Sequence, residues 1–266
     1  MNSGISSAIS GPGGGSSGGG GDDTPLIDVL NSHNPFGVWR SDNVVETDGS
    51  ISRITDQSGN GRHLDDAQAS SSRAQLLTGA IETSEGARSV LAQLASGTIP
   101  RDFHAFIVLE AGADLLAESG DTAYFFAPQS GSNLNYSWLL PISSGDWTSY
   151  GGMASSARVD FDPDIDASKK ILVEVYYIGS KAKQGGRVNG FDGWTSFGTF
   201  PESGFTWSGL RLGTTNSASF AENIRFFDFA MFDITSGPLS YDAYQEIIAA
   251  FHRTYTDTQT FPRIQS

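Results

Sequence analysis

The fold is decided by one stretch of eight residues, Ile171-Leu172-Val173-Glu174-Val175-Tyr176-Tyr177-Ile178. It is rich in β-branched and aromatic residues, which suit a pleated surface. Every second side chain from Ile171 onward is apolar, so one face of the segment is wholly apolar. Glu174 lies on the opposite face, where we expect it to point toward solvent or a concave surface. The pattern predicts a β-strand over 171–178.

Similar segments recur along the chain, separated by clusters of Gly, Ser, Pro and Asp. Residues 224–234 are apolar on both faces, which predicts a central strand between two layers. Many strands and few helices predict an all-β fold, a two-sheet antiparallel jelly-roll sandwich with short peripheral helices. The other predicted strands are 51–55, 103–110, 122–127, 134–140 and 209–213.

Two short helices are predicted near the ends of this sandwich. Thr24 suits an N-cap and Pro25 the first helical position of a helix that runs through Leu30. Farther along, Ser240 is a suitable N-cap, and Asp242 is favourable in the first turn. The apolar residues there follow helical spacing. They are Leu239, Tyr241, Tyr244, Ile247, Ile248, Phe251 and Tyr255.

The first 21 residues differ in composition from the rest, with nine Gly and six Ser. Such a segment has too few apolar side chains to form a core. We therefore predict an arm at 1–23 that is disordered or docked, one sandwich domain at 24–258, and a C-terminal tail at 259–266. The candidate assembly residues of the arm are Gly13, Gly14, Gly15, Gly18 and Gly19.

The charge balance excludes several classes of partner. The chain has 30 acidic and 16 basic side chains and a net charge of -14. This field repels nucleic-acid phosphates and anionic lipid headgroups, so neither nucleic acid nor membrane is expected as a partner. The chain has no Cys, which excludes disulfides and thiolate metal sites. Residues 1–10 contain neither a basic run nor an apolar core, so no secretion signal is predicted there.

The most specific motif is the loop Asp56-Gln57-Ser58-Gly59-Asn60-Gly61-Arg62-His63. Its Gly and Asn residues permit positive φ, so the motif predicts a tight turn. Two interpretations remain open. Asp56, Asn60 and Gly61 either build a turn that buries His63 against the sheet, which we favour, or form a ligand site.

With this loop, the chain resembles the laminin-G-like, concanavalin A-like lectin and glucanase sandwiches found in secreted bacterial proteins and phage virion proteins. The loop is similar to the family's D-x-S-G-N-G-x-H motif. Residues 171–190, which end in Arg187-Val188-Asn189-Gly190, are similar to its strand and hairpin block. Residues 103–109 and 210–233 resemble two further family strands. The resemblance covers nearly all of 26–258 and implies a jelly-roll fold more than a function.

The chain lacks the catalytic pattern that this resemblance calls for. Family glucanases carry acid pairs as E-x-D-x-x-E, because retaining hydrolysis needs two carboxyl groups about 5 to 5.5 Å apart. Here Glu82 and Glu85 have helical spacing, while Glu174 and Glu222 stand alone. We therefore predict a protein that is not an enzyme. The four histidines lack metal-ligand spacing; they are His33, His63, His104 and His252.

One acidic stretch is a candidate metal site. Asp160, Asp162 and Asp164 alternate with other residues and bring hard oxygen ligands together, which suits Ca²⁺. An EF-hand loop is excluded because its sixth position is Ile165 rather than Gly. A solvated acidic loop is the favoured interpretation, so no cofactor is expected and Ca²⁺ is the one candidate.

Carbohydrate binding needs aromatic faces that stack on sugar rings and polar groups that bind hydroxyls. Asn189, Asp192 and Trp194 lie within six residues of one predicted turn, and Trp147 and Tyr150 add two further rings. These five residues are the candidate carbohydrate site. For any single Trp, core packing or subunit contact is the favoured interpretation.

Two runs hint at the Asp-box of sialidases, namely 144–148 and 191–195. Both miss its D-x-G spacing. We predict that both are β-turns.

The leading hypothesis is a non-enzymatic virion structural protein, either a capsid decoration protein, a head fibre or a component of a tail spike or fibre. Its expected partners are other virion proteins through the arm, further copies of itself and cell-surface polysaccharide. One alternative is an exported bacterial carbohydrate-binding adhesin module, which would be extracellular or at the cell surface. A degenerate glycan hydrolase is the second alternative.

Overall fold

The structure is a computed structural model, and its description excludes the predicted arm and tail at 1–23 and 259–266. Within the described part of the chain, no helix is long and apolar enough to cross a membrane. The described residues are 24–66, 68–84, 90–95, 97–111, 122–130, 133–134, 136–141, 147–151, 158–161, 169–179, 183–188, 191–196, 209–213 and 223–255.

The described elements include strands, two α-helices and a 3-10 turn at Ser70–Ser72. The helices are α1 (Leu26–Ser32) and α2 (Tyr241–Thr254). The strands are β1 (Gly37–Thr47), β2 (Ser50–Asp56), β3 (Leu64–Asp66), β4 (Gln75–Leu77), β5 (Ala80–Glu82), β6 (Val90–Leu94), β7 (Asp102–Ala111), β8 (Thr122–Ser130), β9 (Asn133–Leu134), β10 (Tyr136–Pro141), β11 (Trp147–Gly151), β12 (Arg158–Phe161), β13 (Ile171–Ile178), β14 (Lys183–Val188), β15 (Phe191–Ser196), β16 (Gly209–Leu212) and β17 (Ile224–Asp233).

The strands pair antiparallel and form two layers. One layer has the order β1-β17-β7-β13-β14-β15, and we call it the helix-side layer because both helices cover it. The other has the order β3-β6-β16-β8-β10-β11-β12. Strand β2 pairs with both β1 and β3, so the hydrogen bonding continues from one layer into the other. The prediction of an all-β sandwich with short peripheral helices is confirmed.

The main core lies between the two layers. From β13 it takes Ile171, Val173, Val175 and Tyr177, all at most 3% exposed. These are the alternate residues that the sequence placed on one apolar face, because side chains on a strand point to opposite sides in turn. The strand prediction for 171–178 is confirmed to the residue.

A second core lies between the helix-side layer and the helices. Strand β17 contributes to both cores, with Phe229 and Met231 in the first and Ala230 and Phe232 in the second. The prediction of a central strand between two layers is therefore confirmed. Helix α2 supplies Ile247 and other apolar residues to the second core.

A β-bulge at Phe227 changes which side chains face the helices. Phe226 pairs with Leu109 and Asp228 with Val108, so Phe227 has no partner across the ladder. A bulge of this kind places two successive residues on one side of the sheet. Phe227 packs against the second core, and Asp228 reaches the same side.

The carboxylate of Asp228 is 3% exposed and binds two partners there. The Arg40 Nε atom lies 2.7 Å from Asp228 Oδ1, and the hydroxyl of Tyr255 donates to Oδ2. Burial raises the pKa of Asp228, and the charge and hydrogen bond of Arg40 limit this rise. The cluster links β1, β17 and the end of α2.

Both helix starts differ little from prediction. Helix α1 begins at Leu26, and Pro25 takes the N-cap position in place of Thr24. Ser240 caps α2 as predicted, since its hydroxyl accepts a hydrogen bond from the Ala243 N–H at 3.2 Å.

Candidate functional site

A cavity of about 360 Å³ opens between the helix-side layer and the start of α2. We call it the aromatic cavity, since four of its seven lining residues carry aromatic rings. Tyr241, at its mouth, is 68% exposed. The lining residues are His104, Tyr176, Pro238, Leu239, Tyr241, Tyr244 and Gln245.

The N-cap and the buried face of α2 determine which of its residues line the cavity. Capping by Ser240 fixes the first turn, and Ala243 and Ile247 are buried against the sheet. Residues three and four apart share a helix face, so Tyr241, Tyr244 and Gln245 lie together on the side that borders the cavity.

Glu174 lies beneath the cavity and is 1% exposed. Its carboxylate accepts hydrogen bonds from the Tyr244 hydroxyl at 3.0 Å and from the Tyr176 hydroxyl at 3.1 Å. The Nε2 atom of His104 lies 3.2 Å from the same carboxylate. Three partners on one carboxylate compensate for much of the cost of burying its charge.

The sequence-based expectation for Glu174 was wrong, because the side chain faces neither solvent nor an open concave surface. Helix α2 covers that face of β13 and brings Tyr244 onto the carboxylate. The expectation assumed that a polar residue on the second face of a strand is solvated, which holds only where no further layer covers it.

His104 joins the cluster through its ring as well as its nitrogen. Its ring centroid lies 3.7 Å from that of Tyr176 and 4.2 Å from that of Phe106. The side chain is 2% exposed. Stacking on Tyr176, the tilted contact with Phe106 and the hydrogen bond to Glu174 hold the imidazole in one orientation.

A second cavity of about 420 Å³ lies between α1 and α2. The Nε2 atom of His33 lies 2.9 Å from Glu246 Oε2 and links the two helices there. The lining mixes acidic, basic and small side chains and has no aromatic ring among the described residues. It comprises Thr24, Asp28, Val29, Ser32, Gln245, Glu246, Ala249 and Arg253.

Part of the predicted carbohydrate site lies on strand β15. Asp192 pairs with Arg187 of β14, and Trp194 pairs with Gly185. The run 191–195 is therefore strand, and the prediction of a β-turn there was wrong. Asn189 lies outside the described residues.

The other predicted rings, Trp147 and Tyr150, lie on strand β11, which pairs with β12. Strand β12 in turn lies beside β15, so the fold brings these predicted residues to one end of the sandwich. Trp147 and Thr148 are strand residues, which contradicts the predicted turn at that part of 144–148. Residues 144–146 lie outside the described part.

The predicted Ca²⁺ ligands are only partly described. Asp160 lies on β12, while Asp162 and Asp164 fall outside the described residues. Within the described ranges, no three His, Asp or Glu side chains are grouped so as to hold a metal ion. Binding of Ca²⁺ stays a prediction.

The loop at 56–63 forms a closed hydrogen-bond network around Asp56. Asp56 Oδ1 accepts from the backbone N–H of Val38 at 3.0 Å and of Ser58 at 2.9 Å. Oδ2 accepts from the Ser58 hydroxyl at 2.8 Å and the Arg62 N–H at 2.9 Å. Burial alone would raise the pKa of Asp56. The four hydrogen bonds lower it by more than burial raises it, so the pKa lies below its ordinary value.

The remaining residues of this loop also serve its turns. Gly59 and Gly61 have φ of 81° and 69°, the left-handed region predicted for them. The Asn60 side chain donates to the Pro35 carbonyl at 2.9 Å, and His63 Nδ1 accepts from the Asp56 N–H at 3.1 Å. The predicted turn is confirmed, but His63 is half-buried rather than buried against the sheet as expected.

The cluster of Glu174, His104, Tyr176 and Tyr244 was missed as a site by the sequence reasoning. One signal was present, since Glu174 interrupts an otherwise apolar and aromatic strand. Its partners lie up to 70 residues away, so their proximity is a property of the fold.

Comparison with known proteins gives a likeness of fold. No family model matches this chain, and no curated protein matches it. A ligand-binding domain of botulinum neurotoxin serotype D, solved with N-acetylneuraminic acid, is similar with 11% identity and a TM-score of 0.53, over 86% of this chain and 53% of that one. A sialidase from Trypanosoma rangeli is similar with 10% identity and a TM-score of 0.55, over 86% of this chain and 38% of that one.

A third similar structure concerns botulinum neurotoxin type C, whose cell entry depends on interaction with two ganglioside molecules. It has 12% identity and a TM-score of 0.56, over 86% of this chain and 53% of that one. This chain thus spans about half or less of the structures it resembles. At such identities the likeness establishes the β-sandwich fold, and function has to be argued from the site.

Proposed function

We propose that this domain is a non-catalytic glycan-binding β-sandwich. The observation that carries the proposal is the aromatic cavity, in which the exposed ring of Tyr241 stands beside Tyr176, Tyr244 and Gln245. Aromatic rings stack on the apolar faces of sugars, and a few fixed polar groups bind the hydroxyls. The cavity offers both kinds of group in one place.

The similar solved structures support this proposal by analogy. Two of them are described with N-acetylneuraminic acid or gangliosides as ligands. The Trypanosoma rangeli sialidase is described in complex with the inhibitor DANA. The analogy is one of fold, and the choice of glycan has to come from this chain's own residues.

The state of Glu174 supports binding rather than hydrolysis. Glycoside hydrolysis by the usual route needs two carboxyl groups that flank the bond to be cleaved. No Asp or Glu is among the described lining residues of the aromatic cavity. Glu174 lies beneath that lining and accepts hydrogen bonds from its tyrosines, which suits a positioning role.

We further propose that the domain is a virion structural component, either a decoration protein, a head fibre or a part of a tail spike or fibre. The Gly/Ser arm at 1–23, the resemblance in the 56–63 loop and the absence of Cys support this setting. Its partners would be other virion proteins and further copies of this chain. An exported adhesin module would use the same cavity. The two alternatives are distinguished by whether the native protein is found in virions or at a bacterial cell surface.

The test of glycan binding is a screen of the full-length chain on an array of neutral and charged glycans. We expect binding that Tyr241→Ala weakens, because the exposed ring supplies stacking area. Leu77→Ala is the matched control, since Leu77 is also exposed, at 43%, and lies on the β4–β5 hairpin. No binding to any glycan, or equal loss in both variants, would contradict the proposal. Turnover of a bound glycan that disappears in Glu174→Gln would instead identify an enzyme.

A further inference from the structure

The direction of the hydrogen bonds at the aromatic cavity restricts what it can bind. The Tyr244 hydroxyl donates to Glu174 Oε1 and the Tyr176 hydroxyl donates to Oε2, at 3.0 and 3.1 Å. A carboxylate only accepts hydrogen bonds, so both phenolic protons point at Glu174. Each of these hydroxyl oxygens can then offer a ligand lone pairs and no proton.

His104 reinforces the same polarity. Its Nε2 atom lies 3.2 Å from Glu174 Oε2. Because a carboxylate only accepts, the hydrogen-bond network assigns the ring hydrogen to Nε2, which donates it to Glu174. Three side chains of the cavity wall thus direct their donors at one buried acceptor. Among the described lining side chains, the Gln245 amide and the Tyr241 hydroxyl can donate to a ligand.

With the exception of Arg187, the surrounding charges act in the same sense. Neither Lys nor Arg is among the described residues that line the cavity. Asp242 is exposed beside Tyr241 in the first turn of α2, and the chain has a net charge of -14. Strand β14 places one cation, Arg187, in register with Glu174. An anionic ligand in the cavity meets acceptors and negative charge, both of which disfavour it.

We propose that the aromatic cavity selects uncharged, hydroxyl-rich sugars over sugars that carry a carboxylate, sulfate or phosphate. This inference rests on the proposed glycan-binding function. Sugar hydroxyls can donate to the oxygens of Tyr176 and Tyr244 and accept from the Gln245 amide, while a sugar ring stacks on Tyr241. A sugar acid brings further acceptors to a wall that already presents acceptors.

Glu174 is then the specificity-determining residue, although it acts through the tyrosines. In Glu174→Gln the new amide donates through its NH₂ group to one tyrosine oxygen. The proton of that tyrosine is released toward the cavity, where it can bind an anionic group. The substitution therefore turns one acceptor of the cavity wall into a donor with almost no change in side-chain volume. We expect it to reduce the ratio of neutral-sugar to charged-sugar affinity.

The experiment uses the full chain and pairs of glycans that differ only by one sialic acid or one sulfate group. We expect the neutral member of each pair to bind about tenfold or more tightly, and Glu174→Gln to reduce that ratio by roughly fivefold to tenfold, the effect of about one hydrogen bond. Thermal unfolding establishes that the variant is folded. If it is not, Tyr176→Phe and Tyr244→Phe test the same point, since each removes one acceptor and should weaken the neutral sugar by about fivefold.

The outcomes separate this inference from the proposed function. Binding of neither member of any pair contradicts glycan binding itself. Equal or tighter binding of the charged member shows that glycan binding is correct and the selectivity is not, and loss of that binding in Arg187→Gln would identify the cation responsible. An unchanged neutral-to-charged ratio in folded Glu174→Gln overturns the role given to the tyrosine protons.

Discussion

The carboxylate of Glu174 on β13 accepts a hydrogen bond from the hydroxyl of Tyr244 on α2, at 3.0 Å. The two residues are 70 positions apart in the chain, and their contact joins the helix-side layer to the helix that covers it. Because the carboxylate also binds Tyr176 and His104, one buried charge organises three of the side chains around the aromatic cavity.

Tyr244→Phe should therefore lower the free energy of unfolding by about 1 kcal/mol, since it removes one hydrogen bond. Glu174→Ala should cost more, about 3 kcal/mol, because three buried partners lose their acceptor. Urea denaturation measures both. Tyr241→Phe is the control, since this ring is 68% exposed, and it should leave stability unchanged. A Tyr244→Phe variant as stable as the wild type would contradict the role of this contact.

Asp56 should make the stability depend on pH in acid solution. Its pKa in the folded protein lies below the ordinary value of 3.8, so the folded state favours the ionised form. This contribution is fully present above about pH 4 and is lost as the pH falls through the folded pKa. Unfolding of the wild type and of Asp56→Asn, followed from pH 6 to pH 2, should show a smaller acid-induced loss in the variant.

The same substitution should also lower stability at neutral pH by about 2 kcal/mol, because it disturbs the acceptor of four hydrogen bonds. Ser58→Ala removes only the hydroxyl donor and should cost about 1 kcal/mol.

The pH prediction is contradicted if the free energy of unfolding falls equally with decreasing pH in the wild type and in Asp56→Asn. That result would show that other carboxyl groups cause the acid-induced loss of stability.

Loss of Asp228 should be among the most damaging changes in the helix-side layer. Asp228→Ala leaves Arg40 beside the second core without its closest carboxylate, which should cost about 3 kcal/mol. Asp42→Ala is the control, since Asp42 also lies near Arg40, at 3.3 Å, but is 60% exposed. We expect less than about 1 kcal/mol there. Comparable losses in the two variants, measured in urea, would contradict the buried role of Asp228.

Deletion of residues 1–21 should leave thermal unfolding of the domain nearly unchanged, because the described cores contain only residues from Leu26 onward. If the arm docks onto other virion proteins, the same deletion should abolish incorporation into the native assembly. Normal incorporation of the truncated protein would contradict the assembly role of the arm.

Trp194 offers a separate test of the carbohydrate residues that the sequence predicts on β15. Trp194→Ala should weaken attachment to cell-surface polysaccharide by about 1 to 3 kcal/mol if the ring stacks on sugar, given the apolar area of an indole. Tyr241→Ala in parallel measures the aromatic cavity. Loss of folded protein would identify Trp194 as a core residue, and unchanged attachment with intact folding would remove it from the site.

Local patterns in the sequence determined a large part of the fold. Alternating apolar residues predicted β13, two-sided apolarity predicted the central position of β17, and Ser240 predicted the start of α2. The Gly and Asn residues of 56–63 predicted the turns of that loop. Each of these features depends on neighbours along the chain, because backbone preference, strand alternation and helix capping act over a few residues.

The tertiary structure alone decided the aromatic cavity and the strand at 191–196. Glu174 carries the same local pattern whether its face meets water or a helix, and only the packing of α2 shows which of the two applies. Phe191–Ser196 contains Gly and polar residues typical of turns, yet it becomes strand by pairing with β14. Burial and strand pairing depend on residues far away in the chain. They override the local conformational preference where the free energy gained by packing exceeds it.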